Sequence, residues 1–172
     1  MSTQEKLQDV KISPEENIAR ILAKEWFVRE KLVSFAFALD EGETYLSVNR
    51  PAIDTFDSDV LTFVKKHAIF AFEGNSYKRA MINVGAVRGI DVAVDETQMK
   101  IDVEVEPRNT HTKSHAGIFT RFQNKNIKKG QLLKAGPTGN EVSADTILLE
   151  VRKELLKLSS VEECKIVESS SL

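Results

Sequence analysis

The sequence predicts an α+β domain: a mainly antiparallel or mixed sheet of about five to six strands with about three helices packed on one face. Three observations carry this expectation. Met99, Ile101, Val103 and Val105 alternate with Lys100, Asp102, Glu104 and Glu106, so one face of a strand enters the core and the other meets water. Ile147, Leu148, Val151, Leu155 and Leu158 recur at helical spacing behind Ser143, a good capping residue. The elements run helix, hairpin, helix, strands, loop, helix, which is the segregated order of an α+β fold rather than the alternation of a parallel one.

In chain order, residues 1–12 are polar and read as a mobile segment, although Val10 and Ile12 would suit a short strand. A single domain is expected over 13–168, with a frayed tail at 169–172. Ser13, Pro14, Glu15 and Glu16 form a helix-start signal, and Ile18, Ile21, Leu22 and Trp26 follow as an apolar stripe, predicting a helix over 14–26. In LVSFAFAL, Val33, Phe35, Phe37 and Leu39 alternate with small residues. With a turn at 40–43 and YLSVN returning, this predicts a hairpin on which a helix lies. Arg50-Pro51 ends that ladder.

A second helix is expected from Asp57 or Ser58, with Val60, Leu61 and Val64 on one face and Lys65 and Lys66 near its negative end. AIFAF reads as a buried strand before a turn at Glu73-Gly74-Asn75. RAMINVGAVRGIDVAV reads as β structure closed onto 99–106 at Asp95-Glu96-Thr97, with Gly85 marking a bulge or the close approach of another backbone. The stretch from Arg108 onward reads as a polar loop, and CKIV near the end as a short closing strand.

Composition narrows the class. With 172 residues the chain can bury roughly 70% of its unfolded surface. Its 41% apolar and 29% charged residues are those of a globular protein, and its formal net charge of −2 favours no partner. The lone Cys164 rules out an internal disulfide and a cysteine-rich zinc motif. MSTQEKLQDVK lacks the apolar core of a signal peptide, and no apolar run is long enough to span a bilayer, so a cytoplasmic location without membrane association is expected.

The stretch RNTHTKSHAGIF, residues 108–119, holds the chemistry-bearing residues. His111 and His115 are four apart, a metal-binding spacing only on a helix, and Asn109, Thr110, Thr112 and Ser114 disfavour a helix there. No metal or other cofactor is expected. A two-histidine phosphoesterase would need two His-x-Thr/Ser elements; His67 is followed by Ala68, Ile69 and Phe70, so that pattern fails. KAGPTGN (134–140) lacks the Gly-Lys-Ser/Thr ending of a phosphate loop. His111 and His115 remain the candidate catalytic residues, as imidazoles that titrate near neutrality.

Charge is sorted along the chain. Residues 107–140 contain no acid and seven of the 24 basic residues, leaving 17 basic against 26 acidic elsewhere. Just before lie Asp91, Asp95, Glu96, Asp102, Glu104 and Glu106. Two readings follow: the block neutralises its own acidic strand, or it faces an outside anion; the second makes Arg50, Arg108, Lys113, Arg121, Lys125, Lys128 and Lys129 anion-binding, with Phe119 and Phe122 as stacking surfaces.

The segments SPEENIARILAKEWF, LSVNR and SHAGI resemble small bacterial proteins of unknown function that carry a Glu-Asn-x-Ala-Arg helix, a Leu-Ser-Val-x-Arg strand and a His-Ala-x-Ile element. The resemblance implies a compact bacterial domain and draws interest to Arg20, Arg50 and His115. Three functions are consistent with the residues. The first is a binding module for nucleic acid, nucleotide or another polyanion through 108–134. The second is an interaction subunit docking on a protein partner, and the third an enzyme using His115 with Arg50 or Arg108 as an anion clamp.

Overall fold

The computed structural model describes residues 11–92, 100–108, 112–135 and 140–166. Several expected features therefore lie outside the described residues: the N-terminal segment to Val10, the turn at Asp95-Glu96-Thr97, Met99, His111, most of KAGPTGN, and the tail.

The expected helix over 14–26 is replaced by a turn and a strand. The Glu16 N–H donates to the Ser13 carbonyl at 3.1 Å, closing the turn, and strand β1 (Asn17–Leu22) follows. Ile18 and Leu22 enter one core while Ala19 and Ile21 enter another, so β1 is covered on both faces. Such a strand carries apolar residues at neighbouring positions, and 18, 21 and 22 then mimic a helical stripe. One 3₁₀ turn, Lys24–Trp26, leads into the short hairpin β2 (Phe27–Val28) and β3 (Lys31–Leu32).

Ser34–Phe37, expected as a strand, is a 3₁₀ helix with Ala36 and Phe37 buried. Its Ala36 carbonyl needs no strand neighbour, because Arg20 Nε donates to it at 3.2 Å while Nη1 donates to the Ser47 carbonyl at 2.8 Å. Burial lowers the Arg20 guanidinium to about 10, against the opposing pull of Glu43 and Asp40.

Strand β4 (Leu46–Asn49) and helix α1 (Phe56–Lys66) follow. The helix lies where expected, but Thr55 rather than Asp57 or Ser58 occupies its N-cap position. Ala68–Phe70, expected as a strand, forms another 3₁₀ turn. The turn at Glu73–Asn75 is present, with Gly74 and Asn75 at φ 73° and 54°. Strand β5 (Ser76–Asn83) then ends in a short helix α2 (Val84–Arg88), capped by the Asn83 side chain, where continued β structure was expected. Gly85 does mark a close approach: its N–H donates to the Pro14 carbonyl at 3.0 Å, and a Cβ would lie 3.0 Å from that oxygen.

The chain continues through β6 (Ile101–Pro107), β7 (His115–Phe122), β8 (Lys125–Asn126), β9 (Leu132–Ala135), β10 (Asn140–Ser143), α3 (Ala144–Leu158) and β11 (Ser160–Lys165). The main sheet has seven strands in the order β11-β5-β1-β4-β7-β6, with β8 beside β7, a larger sheet than expected. Every pairing in it is antiparallel. Helices cover both faces, not one. On the inner face Ile147, Val151 and Leu155 of α3 join Ile18, Val48, Ile82, Val105 and Ile118. On the outer face Phe56, Val60 and Val64 of α1 join Ala19, Ile21 and Tyr77. No helix among the described residues is long and apolar enough to cross a membrane.

Candidate binding face on β4 and β7

The stretch expected as a polar loop contains β7, which lies between β4 and β6. Its alternation sends Ala116, Ile118 and Phe122 to the inner core. His115, Gly117, Phe119 and Arg121 therefore face outward, the successive side chains of a strand pointing to opposite faces. The anticipated Phe119–Arg121–Phe122 stacking surface is thus split: Arg121 accompanies Phe119, and Phe122 packs on the far side of the sheet.

On the outer face Gly117 lies opposite Ser47 of β4 and Glu106 of β6. Tyr45, two residues before Ser47, lays its ring on this spot. A Cβ at Gly117 would come within 2.6 Å of Tyr45 Cδ2 and 3.0 Å of Phe119 Cε2, so only hydrogen fits. The Tyr45 and Phe119 rings are 5.1 Å apart. Two guanidiniums close the stack. Arg108 lies 4.8 Å from the Tyr45 ring centre and 5.8 Å from that of Phe119, while Arg121 lies 4.8 Å from Phe119. Phe119 is left only 3% exposed. Contacts of this type contribute about 0.5–1 kcal/mol at exposed sites and about 2 when desolvated.

The two arginines differ in their remaining partners. Arg121 donates from Nη1 to Glu106 Oε1 at 2.6 Å and from Nε to Asn126 Oδ1 at 2.7 Å. The hydrogen bond from Arg121 holds the Glu106 carboxyl below its usual range, against partial burial. Arg108 forms no close ion pair among the described residues, although its charge helps to lower the Glu106 carboxyl, and its Nε is buried without a hydrogen-bond acceptor. Beside it, His115 Nε2 is 3.3 Å from the exposed Ser47 Oγ, and the His115 and Tyr45 rings are 6.0 Å apart.

A buried polar knot ties this face to α1. Asp59 Oδ2 accepts from Ser114 Oγ (2.6 Å), Ser114 N (3.2 Å) and Thr55 Oγ1 (2.9 Å). Asn49 Nδ2 donates to Ser114 Oγ at 3.0 Å, and Ser114 is fully buried.

The remaining expected anion-binding residues do not gather here. Arg50 forms a two-pronged pair with Glu16, at 2.7 and 2.9 Å. Lys113 pairs with Asp54 at 3.0 Å, and this hydrogen bond lowers the Asp54 carboxyl. Lys125 is exposed at the β7–β8 turn. Ile127 then dives into the inner core, so Lys128 and Lys129 emerge beside the start of α3, where the Gly130 N–H donates to Asp145 Oδ1 at 2.8 Å. Among the described residues of segment 108–134, Arg108 and Arg121 thus lie on the outer face, while Lys128 and Lys129 follow the buried Ile127 beside α3. Of the pairs, only Arg121 with Glu106 is the neutralisation of the acidic strand by the basic block that the sequence allowed; Lys113 and Arg50 pair instead with Asp54 and Glu16.

Tyr45, Ser47 and Gly117 went unnoticed in the sequence. The usable signal was the period of two in YLSVN, which puts Tyr45, Ser47 and Asn49 on one face. No group of three or more metal-ligating side chains occurs among the described residues. In comparisons with known proteins, no family model, no curated protein and no solved structure matches the chain.

Proposed function

We propose that the protein is a cytoplasmic binding module for single-stranded nucleic acid, taking a base against Tyr45 and its phosphate at Arg108. The observation that carries this reading is the Arg108 guanidinium, seated on an aromatic ring without a close ion pair, its Nε buried and unbonded. Buried polar groups are normally satisfied, so a missing acceptor is what an anionic ligand would supply. Stacking of a base on an aromatic side chain contributes about 1–3 kcal/mol. Arg108 alone is offered to a phosphate, so the salt dependence is shallow: one phosphate contact gives a slope of about −0.7 in log K against log salt.

Fluorescence polarisation with labelled oligo(U) and oligo(dT) at low salt tests it. Tyr45→Ala and Arg108→Gln each weaken binding, whereas the pair Lys128→Glu and Lys129→Glu leaves it unchanged. Absence of binding, or equal loss in the lysine variant, sinks the reading.

A second reading rests on the 3.3 Å separation of Ser47 Oγ and His115 Nε2. In it Ser47 is a nucleophile, His115 its base and Arg108 the clamp for an anionic substrate. A fluorophosphonate probe then labels Ser47 in the parent and not in His115→Ala; an unlabelled parent removes this reading.

A further inference from the structure

On the inner side of the domain, a cleft of about 300 Å³ opens between α3 and the segment running from Ser34 to Asp40. Its apolar wall includes Phe35, Leu39, Leu148 and Leu149, and its polar rim includes Lys129 and Arg152. Phe35 is 59% exposed, an unusual state for a phenylalanine beside a helix with free apolar surface. A smaller void of about 20 Å³ adjoins, sharing Leu39 and Leu148 and reaching Thr120 and Val151 under α3.

Charge on the rim is unequally engaged. Asp145 accepts from the Gly130 N–H at 2.8 Å, which fixes the turn carrying Lys129. Asp40, also on the rim, lies close enough to Arg20 to favour its charged form. Arg152 has no ion pair among the described residues, and its Nε is buried without a hydrogen-bond acceptor. A guanidinium held so presents a planar fork of donors to a carboxylate, and burial strengthens the pairing. The volume stands at the small end of ligand clefts, which run from roughly 300 to 1,000 Å³.

We propose that this cleft binds a small carboxylate with an apolar or aromatic body, its carboxylate on Arg152 beside Lys129 and its body on Phe35, Leu39 and Leu148. The site is separate from the β4–β7 face and does not depend on nucleic-acid binding there.

The probes are 3-phenylpropanoate and its uncharged analogue 3-phenylpropanamide, titrated into the full chain and followed by amide chemical shifts. The propanoate moves amides of residues 35–40, 129–130 and 145–152, and binds roughly tenfold more tightly than the amide. Arg152→Gln abolishes that preference without changing the thermal midpoint, and Arg152→Lys, which keeps charge but loses the fork, retains part of it. Equal affinity for the two probes, an unaltered preference in Arg152→Gln, or shifts scattered away from the cleft overturns the assignment. So does the absence of shifts.

Discussion

Over β1 and β5 the outer face of the sheet is sealed by α1, whose Phe56, Val60 and Val64 meet Ala19, Ile21 and Tyr77. Over β4 and β7 the same face is sealed by Tyr45, Phe119 and two guanidiniums. Both arrangements bury an aromatic ring to 3% exposure, Phe56 in the first and Phe119 in the second. Arg79 also lies over Phe56, at 5.7 Å from its ring centre, but there apolar residues of α1 share the covering, and the two arrangements differ in reversibility. A helix excludes water with apolar area and has no reason to leave. A guanidinium covers a ring while keeping donors that exchange between water, carboxylate and ligand. The first half is thus a core, and the second a surface covered by polar side chains.

Substitutions ordered by expected effect sharpen that contrast. Phe56→Ala removes a buried ring beneath α1 and costs about 3–5 kcal/mol in urea unfolding. Asp59→Ala, at the seam between the halves, strips Ser114 and Thr55 of their shared acceptor and costs about 1.5–3 kcal/mol by the same measurement. Gly117→Ala drives a methyl into the Tyr45 ring; it costs about 1–3 kcal/mol and weakens oligonucleotide binding more than Phe56→Ala does at matched fractions folded.

The Arg121–Glu106 pair is read by pH. The Glu106 carboxyl is held below its ordinary value of 4.5 by Arg121, so its contribution is present above that pH and fades as pH falls through the lowered value. The stability gap between the parent and Arg121→Gln should narrow on acidification, measured as the difference in urea midpoints. A gap that widens would mean the pair is not what holds Arg121 over Phe119. Smallest is Lys113→Ala, whose exposed pair with Asp54 moves the urea midpoint little, by an amount that fades with added salt.

Legibility follows local periodicity rather than either half of the outer face, for definite reasons. Helices α1 and α3 each bury a single stripe, so their periodicity survives in the residues, and β6 alternates because one of its faces meets polar surroundings. The close approach at Gly85 was readable because few other roles suit a glycine there. Strand β1 was misread because burial on both faces erases the period of two. Ser34–Phe37 alternated like a strand yet coils as a 3₁₀ turn, its Ala36 carbonyl satisfied by Arg20 from 16 residues away, which no local pattern encodes. Strand β7 reads as a loop in the sequence because its outward residues are polar, glycine or arginine-covered. The candidate site was half visible: Arg108, His115, Phe119 and Arg121 stood out by type, while Tyr45 joined them only through strand pairing.

Strand β1 contributes Ile18 and Leu22 to one core and Ala19 and Ile21 to the other. Neither layer of the molecule can melt without withdrawing this shared ribbon from its opposite. Loss of either helix then propagates through six residues to the other, and the domain should unravel in one cooperative step, with the Trp26 fluorescence and backbone circular dichroism curves superimposing.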